Sequence, residues 1–132
     1  MNESDRLVAA ARAAFGHAIA TYSHFRVGAA LLTRTGKIHT GCNVENASYG
    51  LTMCAERVAL FKALSEGDRE FAAIVVVADT ASPTPPCGAC RQLLWEFCGD
   101  VPVIMATLTH VVAEYQMKDL LPLPFDGRLL TG

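Results

Sequence analysis

Two short stretches hold the side chains best suited to chemistry: Cys54-Ala55-Glu56 and Pro86-Cys87-Gly88-Ala89-Cys90. Cysteine thiolates are strong ligands for zinc. Three protein ligands leave the fourth tetrahedral position open, which distinguishes a catalytic zinc site from a structural one. That position would hold a water whose pKa the metal lowers to about 7. Glu56 lies two residues beyond the first cysteine. In a helix, positions i and i+2 diverge, so Glu56 is poorly placed to be a ligand. It is better placed to move protons beside the water. Three thiolates on a dication leave a net negative centre. Arg57, one helical turn from Cys54, could donate to the sulfurs and offset that charge. A lone Cys-x-x-Cys is weak, since two buried small side chains explain it equally well. Two such motifs, each at the start of an expected helix, are far more specific.

The elements that must bring these residues together can be read from periodicity. Asp5 to Ala20 reads as a helix, with Val8, Ala11, Phe15, Ala18 and Ile19 on one face and Ser4 as its cap. Val27 to Leu32 and Lys37 to Cys42 read as a hairpin around the turn Thr33-Arg34-Thr35-Gly36. Thr52 is a candidate cap for a helix running to Ser65, with Gly67 beyond it. Ala72 to Ala78, an apolar and β-branched run, suits a strand covered on both faces. Gly88 to Cys98 forms another helix, ended by Gly99. Val101 to Ala106 is a second buried strand, Val111 to Met117 a weaker one, and Asp119 to Leu121 a helical turn. Strand–helix–strand units demand a partly parallel sheet with helices on its faces. The expectation is a three-layer α/β/α domain over residues 1–132 with a five-stranded mixed sheet. In that arrangement the helices after Cys54 and Cys87 start at one sheet edge, and three thiols converge there. The N–H groups and dipole of a helix start favour thiolate over thiol.

Composition narrows the function. The chain has 132 residues, 52% of them hydrophobic and 18% charged, with a net charge of −2. That excludes a disordered chain and supplies no basic tract to hold a phosphate backbone. The expected substrate is a small molecule rather than a nucleic-acid polymer. The longest apolar run, Phe71 to Ala78, falls well short of the about 20 residues a membrane span needs. The opening Met-Asn-Glu-Ser-Asp-Arg does not resemble a secretory signal. With five cysteines, an odd number, this points to reduced thiols and a cytoplasmic location rather than a disulfide framework.

The motifs resemble those of the short, homotetrameric zinc-dependent cytidine deaminases. The likeness extends through Tyr22-Ser23-x-Phe25-x-Val27-Gly28-Ala29-Ala30, Gly41-x-Asn43-Val44-Glu45-Asn46-Ala47-Ser48-Tyr49, Cys54-Ala55-Glu56-Arg57 and Cys87-Gly88-Ala89-Cys90-Arg91-Gln92, and on to Leu121-Pro122-x-x-Phe125. The Asn-x-Glu pair separates this family from the blasticidin S deaminases. The chemistry implied is that of zinc deaminases in general: hydrolysis of cytidine and deoxycytidine to the uracil nucleosides, with release of ammonia, in pyrimidine salvage.

The resemblance assigns roles residue by residue. Cys54, Cys87 and Cys90 hold one Zn²⁺ per subunit, and Glu56 is the proton shuttle. Asn43 and Glu45 bind ribose hydroxyls, as alternate positions of an extended segment can. Phe25 packs on the pyrimidine, and the Ala55 backbone contacts the base. Tyr49 and Phe125 approach the pocket from neighbouring subunits of a homotetramer.

Rival readings remain. A deaminase of polynucleotides or of another aminopyrimidine or aminopurine would need a basic or aromatic channel. A purely structural zinc module would need a fourth cysteine, Cys42 or Cys98, both of which read better as packing thiols. Phe25 could be a core residue, Tyr49 a packing residue, Asn43 and Glu45 a polar loop, and Arg57 a solvated charge. Arg91 reads as a surface or intersubunit residue. His17, His24, His39 and His110 lack ligand spacing, and Thr107 to Met117 matches the family only loosely.

Overall fold

Asn2, not Ser4, starts the first helix of the computed structural model, which describes residues 2–131. The Asn2 side chain accepts from the Asp5 N–H at 2.8 Å, and the Asp5 carboxylate accepts from the Asn2 N–H at 3.3 Å. This reciprocal box satisfies two backbone donors at once, which Ser4 could not do. Helix α1 then runs over Glu3–Phe15 and buries Leu7, Val8, Ala11 and Phe15. It stops at Gly16, short of the expected Ala20. Beyond it Ile19 is claimed by a different partner: its N–H donates to Asn43 O and its carbonyl accepts from Glu45 N–H, both at 2.9 Å. Periodicity placed Ile19 on the helix face, but this pairing overrides it.

The remaining elements are β1 (Val27–Thr33), β2 (Ile38–Cys42), α2 (Ala55–Ser65), β3 (Phe71–Ala78), α3 (Gly88–Cys98), β4 (Pro102–Ala106), β5 (Val111–Gln116), α4 (Met117–Leu120) and α5 (Arg128–Thr131). A 3₁₀ turn at Tyr49–Leu51 and α5 had no sequence signal. Helix α2 begins after Cys54 rather than at the expected cap Thr52. The strands form one mixed sheet in the order β2-β1-β3-β4-β5. Pairings are antiparallel except β3 with β4.

Side-chain alternation then gives the sheet two apolar faces. Ala30, Leu32, Val75, Val77 and Ile104 pack under α1. Ala29, Leu31, Ile74, Val103 and Met105 pack under α2 and α3, with Leu60, Ala63 and Leu94 from those helices. Phe71 joins Ile74 on the α2–α3 face despite its odd spacing, because the β1–β3 register slips one residue between Leu32 and Thr33. This is the expected α/β/α arrangement. Each fully buried Leu, Ile, Val or Phe contributes roughly 1.5–3 kcal/mol. No described helix is long and apolar enough to cross a membrane.

Two glycines set how closely the helices approach. A Cβ on Gly28 would lie 2.2 Å from Ala11 O, so α1 rests directly on β1. A Cβ on Gly41 would lie 2.5 Å from Ala55 O and 2.6 Å from Ala59 N, so the first turn of α2 rests on β2. Register places the helix starts. Cys42, at the end of β2, pairs with Gly28, and Ala78, at the end of β3, pairs with Val27. Strands β2 and β3 therefore point the same way and end at the same edge, on either side of β1. The chain leaves both toward α2 and α3 at one edge, where open α/β sheets place their ligands.

Candidate active site

Cys54 and Cys87 are the N-cap residues of α2 and α3, both with extended backbone, and neither thiol caps its helix. Cys90 lies in the first turn of α3 and is fully buried. The sulfurs of Cys54 and Cys87 are 3.9 Å apart, and those of Cys87 and Cys90 are 3.4 Å apart. Among the described residues, these three form the one group of His, Cys, Asp or Glu side chains able to hold a metal, with all ligand atoms within 4.8 Å. A tetrahedral zinc with bonds near 2.3 Å requires sulfurs about 3.8 Å apart, so the trio fits. The other two thiols are elsewhere. Cys42 ends β2, and Cys98 closes α3, where burial pushes its pKa up to about 12. A four-cysteine structural centre therefore has no fourth member here.

The thiols do not ionise alike. Cys54 is drawn down to about 5, chiefly by its hydrogen bond with Cys90, against the opposing effect of burial and with help from Arg57. Cys90 is pushed up by the same pairing. Arg57 donates Nη2 to the Cys54 sulfur at 3.3 Å, as its spacing implied. Among the described residues its Nε–H is buried without a partner. Glu56 is only 5% exposed, yet it lines a cavity of about 250 Å³ together with Cys54 and Cys87. Burial first, and then the charge at Cys54, raise its pKa to about 7.

Phe25, Asn43, Glu45 and Ala55 line the same cavity. Asn43 and Glu45 also hold the wall in place. Asn43 accepts from Val27 N–H at 2.9 Å and donates to Phe25 O at 2.7 Å. Glu45 accepts from the N–H groups of Tyr22 and Ser23 at 2.9 and 3.0 Å and from the Ser23 hydroxyl. These bonds lower its pKa, the Ser23 side chain first. The Ser23 oxygen in turn accepts from Phe25 N–H at 2.9 Å. Between them His24 sits at φ +59°, a left-handed conformation that a non-glycine residue adopts only when its surroundings hold it. Ser23 was the missed residue. Its signal was its place in the Tyr22-Ser23-x-Phe25 motif, two residues before the aromatic it orients.

Two assigned residues lie outside this cavity. Tyr49 is 72% exposed and stands edge-on to Tyr22, with ring centroids 5.9 Å apart, along an adjoining groove that shares Ser23, Glu45 and Thr52. Phe125 is 60% exposed and fixed only through its carbonyl, which accepts from Gln92 Nε2. Arg91, expected at the surface or between subunits, is half-buried within its own chain. It donates Nε to Pro86 O at 2.7 Å and Nη1 to Leu120 O at 3.0 Å. Thr84 and Pro85 complete the cavity beside Cys87, and no sequence pattern had marked them.

Residues 1–107 match the model of the cytidine and deoxycytidylate deaminase zinc-binding region. A cytidine deaminase of Sporosarcina psychrophila is 50% identical over 119 residues, covering 89% of this chain and 88% of that protein. One from Halalkalibacterium halodurans is 57% identical over 102 residues, covering 76% and 77%. The crystal structure of cytidine deaminase from Burkholderia pseudomallei superposes with a TM-score of 0.90 at 50% identity, covering 95% of this chain and 100% of that one. With a three-thiol centre, a buried carboxylate beside it and likeness along almost its whole length, the chain belongs to the zinc-binding cytidine and deoxycytidylate deaminase family.

Proposed function

We propose that the protein hydrolyses cytidine and deoxycytidine to uridine and deoxyuridine with release of ammonia, as one catalytic domain over residues 1–132 serving pyrimidine salvage. The observation that carries this reading is the buried carboxylate of Glu56, which shares one small cavity with Cys54 and Cys87, two of the three clustered thiols. Cys54, Cys87 and Cys90 would hold the zinc, which when bound would supply an acidified water. Glu56 accepts the first proton from that water as it attacks C4 and passes it to N3 of the ring. It then carries the second proton from the new C4 hydroxyl to the amino group, which leaves as neutral ammonia. The N3 proton remains in the uracil product. Burial raises the Glu56 carboxyl above the usual carboxylate range, which favours transfer in both directions, because efficiency peaks when the pKa lies near the working pH.

The rest of the cavity orients the nucleoside. The ring face of Phe25 packs on the pyrimidine. The Cys54 thiol does not cap α2, and the Ala55 N–H at the helix start serves the base carbonyl. Asn43 keeps one N–H and one lone pair beyond its backbone bonds, and Glu45 keeps acceptor capacity on its second oxygen. Both serve the ribose hydroxyls. A cavity of about 250 Å³ lies just under the ordinary range for small-ligand sites, as a nucleoside requires.

The protein acts as a homotetramer in the cytoplasm. The exposure of Tyr49 and Phe125, each outside the cavity of its own chain, supports a role for both at a neighbouring subunit's site. Ammonia release by the zinc-loaded protein tests the reading, with cytidine, deoxycytidine, cytosine, blasticidin S and single-stranded DNA compared. Turnover on the two nucleosides is expected. Failure on both, or faster reaction of the polymer, refutes it. Light scattering of the same sample reads the subunit number.

A further inference from the structure

We propose that Arg91 is the positioning residue for the metal ligand Cys87, an inference that rests on the zinc-site reading above. Cys54 and Cys90 belong to settled surroundings. One follows an extended segment whose Val44 and Met53 exchange backbone hydrogen bonds at 3.0 Å, and the other is buried within a helix. Cys87 is the exposed thiol of the three and ends the loop Thr80-Ala81-Ser82-Pro83-Thr84-Pro85-Pro86. Prolines carry no N–H, so the last four residues before the ligand hold a single backbone donor, on Thr84. Among the described residues, no N–H of residues 80–87 donates to another backbone group. A segment so poor in donors can be fixed only through its acceptors.

Arg91 supplies the donors. Its backbone N–H donates to Cys87 O at 2.9 Å, and its side-chain Nε donates to Pro86 O at 2.7 Å. The carbonyls on either side of the Cys87 Cα are thus both held at position 91, Cys87 O by the backbone bond of α3 and Pro86 O by the guanidinium, and the second bond sets the direction of the Cys87 side chain. The same guanidinium spans to Leu120 O at 3.0 Å, which stops it from swinging away. A planar fork meets two carbonyls in fixed directions, whereas a lysine ammonium meets one as a point charge. The remaining loop bonds, from the Thr80 hydroxyl to Ser82 O and to Thr84, lie farther from the ligand.

The experiment measures the rate at which zinc passes from the loaded native enzyme to an excess of chromophoric chelator. Wild type is compared with Arg91→Gln, Arg91→Lys and Gln92→Ala, and far-UV circular dichroism confirms the fold of each. Outer partners of metal ligands typically govern affinity by about 10–100-fold, so at least tenfold faster release is expected for both Arg91 variants. Gln92→Ala cuts the neighbouring bond to Phe125 O but leaves Pro86 held, and should release zinc at the wild-type rate. Should Arg91→Gln fail to fold, Arg91→Lys keeps the charge and most of the stem and carries the measurement. Wild-type release rates in the Arg91 variants, or equally fast release from Gln92→Ala, overturn the inference. A wild type that binds zinc and deaminates cytidine while the Arg91 variants retain the metal refutes this inference alone. A wild type without zinc refutes the functional reading itself.

Discussion

A single methyl group at Gly41 should separate the position of α2 from the stability of the fold. In Gly41→Ala the new Cβ would lie 2.5 Å from Ala55 O, 2.6 Å from Ala59 N and 2.9 Å from the Val58 Cβ. Two of these are backbone atoms of the first turns of α2, so no side-chain rotation relieves the contact. Relief to an ordinary 3.4 Å moves the start of the helix by up to about 0.9 Å. Overpacking of this kind costs about 1–3 kcal/mol of stability. The same shift carries Cys54 and Glu56, which adjoin Ala55. Misplacing a reacting group by about 1 Å can cost 10²-fold, so kcat on cytidine should fall between about tenfold and a hundredfold. Gly28→Ala is the matched control. Its Cβ would meet Ala11 O at 2.2 Å and Phe15 N at 2.5 Å, displacing α1, which carries no site residue. It should lower the denaturation midpoint at least as much while leaving kcat near wild type. Guanidinium unfolding and initial rates at saturating cytidine, both on zinc-loaded protein, read the two effects. The reasoning fails if Gly41→Ala unfolds more easily but turns over normally, or if Gly28→Ala loses as much activity as Gly41→Ala.

Glu56→Gln keeps the shape of the side chain but cannot carry a proton. Because one carboxylate serves several transfers, kcat should drop by at least about 10⁴-fold, with zinc content unchanged by elemental analysis; near-native turnover would rule out the shuttle. Ser23→Ala removes the hydroxyl that joins Glu45 to the Phe25 backbone. KM for cytidine should rise roughly fivefold with little change in kcat, the scale of one lost polar contact, and a kcat effect without a KM effect would contradict the assigned role. Asp126 is held down to about 2 by Arg128 first and then by the Trp95 indole. A depressed carboxyl stabilises the fold above its unfolded value of 3.8, and that contribution disappears as pH falls toward about 2. Trp95→Phe should therefore raise the pH of acid unfolding, and an unchanged acid midpoint would show that the indole bond does not matter.

The parts of this protein that were legible in sequence are those fixed by one local rule. The continuous apolar and β-branched run of β3, the turn at Gly36 and the end of α3 at Gly99 each follow from local chemistry, and all three formed where expected. The thiol cluster was legible because two helix starts after parallel strands must share an edge. What stayed hidden depended on distant partners. Ala18 and Ile19 extend the helical face, but Ile19 is drawn off by the backbone of Asn43 and Glu45. Asn43 and Glu45 read as ribose ligands, yet most of their polar atoms brace the Phe25 loop, a demand that cannot be seen without knowing which backbone passes by. The bonds of Arg91, read as a surface or intersubunit residue, stayed hidden because nothing local reveals which carbonyls a guanidinium will reach. Phe125 lies beyond the matched residues 1–107, so the family pattern speaks least where the chain's arm is most exposed.

The two site helices share a cost that α1 avoids. Helix α1 opens with a reciprocal cap, whereas α2 and α3 open on cysteines whose thiols make no cap bond. Exchanging a good N-cap side chain for a non-capping one typically costs about 1 kcal/mol per helix. Ser, Asp or Asn would cap better at positions 54 and 87, but their oxygens could not replace sulfur in this cluster. The missing caps also leave the positive dipole ends of both helices facing the thiols. Stability given up at two helix starts is thus converted into metal affinity and substrate contacts. It is regained only when a cation ties Cys54, Cys87 and Cys90 together, which couples the order of this sheet edge to the metal. Gly41, Arg57 and Arg91 each act on that same edge, by close packing, by a bond to sulfur and by a hold on carbonyls. The site is therefore built by backbone placement as much as by the four side chains that perform the chemistry.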